Sequence, residues 1–377
     1  MKISYLHLLL FLVSFLSAYG NDIVVTWGDS DSGGDSSGVD LDSSGVGVSS
    51  HVSTIYSTNF AFAALKNDGS VVTWGRFRFG GDSSGVDFSG GVRTIYSNGY
   101  AFAAIMNDGS VVAWGRSDSG GDSSGVNLSS GVSTIYSTNV SFAALKNDGS
   151  VVTWGASTLG GDSSGVDLSS DVSTIYTTQN AYAALKNDGS VVTWGLPTAG
   201  GDSSGVDLSS GVSTIYSTNT AFAALKNDGS VVTWGNSSYG GDSSGVDLSS
   251  DVSTIYSTDT AFAALKIDGS VVTWGFSSHG GDSSGVNFLG GVRTIYSTSV
   301  AFAALKYNGS VVTWGFSNAG GDSSGVDFSG GVRTIYSTSG AFAALKYDGS
   351  VVTWGSSKGG GDSSAVDFSG GVRTIYS

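Results

Sequence analysis

VSTIYSTNTAFAALKNDGSVVTWGNSSYGGDSSGVDLSSD, residues 212–251, is one copy of a unit that recurs every 40 residues along the chain. The period is carried by Trp74, Trp114, Trp154, Trp194, Trp234, Trp274, Trp314 and Trp354. A fixed period of this length marks a repeat architecture. A ninth copy, Trp27, lies 47 residues before Trp74, because a DSSGV connector is duplicated around residues 42–48. Within the unit, VSTIYS and VVTW are rich in β-branched and aromatic residues, and AFAAL is joined to VVTW by Asn227-Asp228-Gly229, a strong short-range hairpin signal. Both faces of AFAAL and VVTW are apolar, as expected of strands covered on two sides.

The expected fold is therefore all-β: a single β-propeller of eight three- to four-stranded blades, in which the short GVDL or GVDF stretch is the candidate fourth strand. No stretch after the first twenty residues carries apolar residues at helical spacing through a full helix length, which excludes a helical solenoid. A β-solenoid fits less well, because its coils are built from shorter repeats. Residues 23–28 and 372–377 supply a last and a first strand of a split ninth blade that lacks its AFAAL copy. Two readings stay open: an eight-bladed ring with frayed ends, or nine blades in a longer parent chain.

Residues 1–20, MKISYLHLLLFLVSFLSAYG, carry Lys2, an apolar run from Leu8 to Leu16 and the small pair Ala18 and Gly20. This pattern is expected of a signal peptide, leaving residues 21–377 as the propeller domain. The apolar run is too short for a membrane span. The expected location is extracellular, or periplasmic if the source is bacterial. There is no Cys, so the core alone must hold the fold, and thiolate chemistry is excluded. The formal charge of −15 comes with Asp as the sole acidic residue type. That balance opposes nucleic acid and anionic membrane surfaces.

The segment AFAALKNDGSVVTWG, followed by four free residues and GGDSSGV, resembles the repeats of the regulator of chromosome condensation family, with the shorter repeats of the β-lactamase inhibitor protein II branch. The resemblance implies a β-propeller that uses its faces as binding surfaces, and the inhibitor branch adds the analogy of an inhibitor of an extracellular enzyme. It implies little about the partner, because functions in the family are diverse. The family's Cys-Gly and His positions are Ser-Thr in this chain, so nothing of the exchange factor's site carries over.

Strand parity places the NDGS turns at one end of every blade and two other connections at the opposite end. Those two connections vary most: RFRF, RSDS, ASTL, LPTA, NSSY, FSSH, FSNA and SSKG after Trp-Gly, and TNF, NGY, TNV, TQN, TNT, TDT, TSV and TSG before the middle strand. The NDGS end is expected to be uniform. Variation along one rim reads either as freedom from packing constraint or as a diversified recognition surface. On the second reading the candidate partner-binding residues are Phe60, Arg76, Phe77, Arg78, Phe79, Tyr100, Arg116, Tyr239, Phe276, His279 and Phe316. The expected partner is a protein, and a glycan or cell-surface adhesion role is the alternative. The sequons at Asn127, Asn139, Asn236 and Asn308 are candidate glycosylation sites.

An enzyme is not expected. After residue 20 the only His are His51 and His279, with no metal-ligand or triad spacing around them. No catalytic, cofactor or metal residue is assigned. The repeated Asp of GGDSS reads as a turn former, since its order and spacing differ from the calcium-binding nonapeptide. The repeated Trp and Tyr read as packing between blades, and the repeated Lys of AALK as strand cover. Finally, Phe88, Phe288, Phe328 and Phe368 each travel with Gly-Gly and then Arg93, Arg293, Arg333 or Arg373. This covariation reads as a packed cluster between units or as two ancestral repeat types.

Overall fold

In a computed structural model, the described residues are 26, 29, 32–37 and 51–376. They are all-β, with eight three-stranded blades and short 3-10 turns. The signal-peptide segment, Trp27 and the duplicated connector at 42–48 lie outside the described residues, and of the N-terminal strand expected at 23–28 only Thr26 is described. The contacts divide the chain into two compact units, 1–187 with 192–197, and 188–191 with 198–377.

Blade one consists of Val52–Ser57, Ala61–Lys66 and Val71–Gly75, paired antiparallel in that order. The other blades repeat it, with first strands beginning at Val92, Val132, Val172, Val212, Val252, Val292 and Val332. A bulge after the first Val shifts the register, from Val52 opposite Lys66 to Thr54 opposite Leu65. In the hairpin Phe62 lies opposite Trp74, and their rings stack 5.3 Å apart. Among the described residues the candidate fourth strand is absent. In units with Leu at this position its trace is one hydrogen bond, such as Val111 N to Leu128 O at 2.9 Å, and the surrounding SSG and Ser/Gly residues turn instead. Residues 372–376 also form no strand, although Val372 N keeps its bond to Gly349 O.

The middle strand is buried on both faces because consecutive blades interlock small against large. Ala61, Ala63 and Leu65 of blade one pack against Phe102, Ala104 and Trp114 of blade two, and the same cluster recurs in both units. A buried indole needs an acceptor. Trp114 Nε1 donates to Gly80 O at 3.2 Å, in the loop of the preceding blade, and Trp154, Trp234 and Trp354 donate likewise to Gly120, Gly200 and Gly320. Gly80 has φ +101, and a Cβ there would lie 2.5 Å from the ring of Phe102, so only glycine fits. The first-strand Tyr adds a second link, Tyr96 Oη to Thr134 Oγ1 at 3.1 Å. Trp and Tyr therefore join blades, as their repetition indicates.

The Phe, Gly-Gly and Arg covariation resolves into two contacts. Phe88 meets Trp114 edge-on at 5.3 Å, and its carbonyl accepts from Gly91 N to close a turn. In two copies both glycines have positive φ, +92 and +75 at Gly290 and Gly291, and +85 and +79 at Gly330 and Gly331. Arg93 instead reaches the carbonyls of Val132 and Ser133 in the following blade, each at 3.2 Å. The three positions thus join neighbouring units without forming a single cluster.

One blade pair departs from the common core. Ser141 replaces the usual Ala and Tyr182 the usual Phe, and their hydroxyls meet at 3.1 Å, with Thr138 N donating to Tyr182 Oη at 3.1 Å. Complete burial pushes the Tyr182 phenol up to about 12. Two outcomes follow. Trp154→Phe strands the Gly120 carbonyl and lowers the unfolding free energy by about 1–3 kcal/mol in urea titrations. In a double-mutant cycle, Ser141→Ala with Tyr182→Phe costs less than the sum of the single changes, by about 0.5–3 kcal/mol.

Candidate partner-binding site

The two variable connections are built structures. After the Trp-Gly of each of the eight described blades the chain makes a single 3-10 turn closed by a left-handed glycine, as at Phe77–Phe79 with Gly80. Framework groups tie this turn to the other variable loop. Arg76 N donates to Phe60 O at 2.9 Å, and Thr58 Oγ1 donates to Phe79 O at 3.2 Å while accepting from Phe60 N and Ala61 N. Asn98 does the same for Ser119, and Thr218 for Tyr239. A Thr, or Asn98 in its place, thus holds the backbone, and the varied side chains project from it.

The eleven candidate residues fall into two groups. In the first unit, Phe60, Phe79 and Tyr100 gather with ring separations of 4.8, 5.8 and 6.2 Å. Arg76 lies over Phe60 at 5.1 Å and Arg116 over Tyr100 at 5.6 Å. Asp118 grips Arg116 through Nε at 2.6 Å and Nη2 at 2.9 Å. Phe77 is 70% exposed, and Arg78 beside it also faces water. The result is an aromatic floor edged with guanidinium groups.

In the second unit Tyr239, Phe276, His279 and Phe316 form an edge-to-face series, with successive centroids 5.8, 4.8 and 6.1 Å apart. His279 Nδ1 is 2.9 Å from Thr260 Oγ1. Partial burial lowers the His279 pKa below its ordinary value, against the opposing field of Asp259.

Asn127 and Asn308 are exposed, whereas Asn139 and Asn236 are half-buried on the variable loops. The GGDSS carboxylates act as turn formers, with Asp82 Oδ1 accepting from Ser84 N at 2.8 Å. Lys306, buried, donates to the carbonyl of Leu289 at 3.2 Å and so covers strand and turn together. Among the described residues, no helix is long and apolar enough to cross a membrane.

The NDGS end departs from the expected uniformity. Its first residue is Asn in five units but Ile267, Tyr307 and Tyr347 in the last three, and all three side chains are exposed. The substitution was visible in the residues themselves, masked by the near identity of everything around it.

No family model and no curated protein matches this chain. Among solved structures it is similar to Prp20p of Saccharomyces cerevisiae, studied for its binding to Gsp1p and histones, at 17% identity over 64% of this chain and 76% of that one, TM-score 0.35. It is also similar to human WBSCR16, at 16% identity over 63% and 82%, TM-score 0.36. The ectodomain of the Physcomitrella patens receptor kinase CR4 is a third, at 14% identity over 70% and 72%, TM-score 0.38. At these values, function has to be read from this chain's own side chains.

Two pH responses follow. Asp68, held by the Ser70 hydroxyl and amide, and Asp82, held by the Ser84 amide, titrate below the ordinary carboxylate value, as do Asp162 and Asp268 in the same turns of later blades. A depressed carboxylate stabilises the fold above its unfolded value, so thermal stability falls as pH drops below about 4. In NMR titration His279 has a midpoint below 6.5, and Asp259→Asn lowers it further because the opposing field is gone.

Proposed function

We propose that the blades close into a secreted, non-enzymatic propeller of the regulator of chromosome condensation type, which binds a protein partner through the variable ends of its blades. The observation that carries this reading is the Phe60, Phe79 and Tyr100 cluster with Arg76 and Arg116 against its rings and Phe77 projecting beside it. Aromatic and Arg side chains on a fixed backbone are the groups that dominate binding energy at protein interfaces. On a chain of net charge −15 such a basic sector suits a partner that is apolar and locally acidic.

Binding through the second group, around His279, uses the same construction without the positive charge. Removal of residues 1–20 during export belongs to this reading. The test compares mature wild-type protein with a Phe77→Ser, Phe79→Ser, Tyr100→Ser variant in pull-downs from the native medium, with free sugars as competitors. Wild type is expected to retain a partner that sugars do not displace, with affinity reduced by about 30-fold or more in the variant. Equal retention by both proteins contradicts the assignment.

A further inference from the structure

At the NDGS end of the last three blades, all within the second unit, the surface changes character. Ile267 is 73% exposed, Leu289 82%, Tyr307 63% and Tyr347 61%, where earlier units place Asn or Ser. Each Tyr rests on a glycine. A Cβ at Gly291 would lie 3.1 Å from Tyr307 Cδ2, and one at Gly331 would lie 3.3 Å from Tyr347 Cδ2. Two residues beyond each glycine stands an exposed Arg, and Arg293 Nη2 donates to Arg333 O at 2.9 Å while Arg333 Nη2 donates to Arg373 O at 3.3 Å. These single bonds leave further donors on each guanidinium. Among the described residues neither Arg293 nor Arg333 has a carboxylate partner.

The same module, an exposed Tyr beside an Arg, therefore stands twice in succession at a 40-residue interval. Units one to six lack it: Arg93 is accompanied by Asn107, and Ile267 by Ser253. The turn carboxylates on either side are Asp268, in the blade before the first module, and Asp348, beside Tyr347, each spending Oδ1 on the amide and hydroxyl of the Ser two residues on.

We infer that this surface binds an acidic polysaccharide, a polymer of uronic acid residues. The Tyr faces supply flat apolar platforms for the C–H faces of sugar rings. Arg293 and Arg333 supply planar forks for the carboxylates. Asp268 and Asp348 keep oxygen lone pairs free to accept from sugar hydroxyls. Two equal modules in series match a ligand whose own units repeat.

The test is equilibrium binding of the full mature chain to polygalacturonate, with dextran and poly-glutamate as parallel probes. Two double variants use residues found at the same positions in other units: Tyr307→Asn with Tyr347→Asn, and Arg293→Ser with Arg333→Ser. Polygalacturonate is expected to bind more tightly than either other probe, and each double variant to weaken it by about tenfold or more with the circular dichroism spectrum unchanged. Failure to bind polygalacturonate, indifference to both double variants, or equal binding of poly-glutamate, which points to an acidic peptide, overturns the proposal.

Discussion

The hydrogen bond from each buried indole to a glycine carbonyl of the preceding repeat is the constraint from which the remaining features follow. Trp is the bulkiest group in the blade, and burying it requires a partner for its N–H. That partner must sit close to the stacked Phe and Trp rings, where a side chain would collide, so it is a glycine with φ near +100°. A left-handed glycine in turn ends the 3-10 turn before it. The length of the Trp-Gly connection, its closing glycine and its place above the next blade are thus consequences of one bond. The small Ala face of each middle strand is its counterpart, because it admits the next blade's Phe and Trp.

That constraint also separates what the repeats can vary from what they cannot. The backbone of the variable loops is held by Thr58, Asn98 and their copies, so side chains at positions such as Phe60, Arg76 and Phe77 can change without disturbing the core. Recognition groups on a fixed backbone lose little entropy on binding. The exchange of Ala and Phe for Ser141 and Tyr182 shows the limit inside the core: a hydroxyl is admitted only with polar partners to meet it, here each other, the Leu159 carbonyl and the Thr138 amide.

Most of the architecture was legible in the residues. The 40-residue period, the three strands, the hairpin turns and the two ends of each blade follow from periodicity, Asn-Asp-Gly and strand parity, and all appear in the structure. Among the described residues the fourth strand does not form, since GVDL and GVDF are too short and too closely bounded by turn residues to hold more than one ladder bond. The 3-10 turns were hidden because their residues vary freely and only the closing glycine is constrained. The candidate residues were found one at a time by exposure and type. Their grouping around Tyr100 and around His279 depends on which neighbouring blades stand together, which no single-unit reading contains. The Tyr307 and Tyr347 substitutions were in plain view, but their meaning rests on Gly291 and Gly331, sixteen residues earlier in each unit.

The interblade indole bond can be observed directly by following exchange of the Trp Nε1 protons with solvent deuterium in the native protein. The account predicts slow exchange for Trp74, Trp114, Trp154, Trp194, Trp234, Trp274, Trp314 and Trp354, set by the opening of whole blades and shortened together by denaturant. Exchange of these indole protons at the rate of a free peptide, while the strand amides stay protected, would show that the blades are joined without this bond and would contradict it.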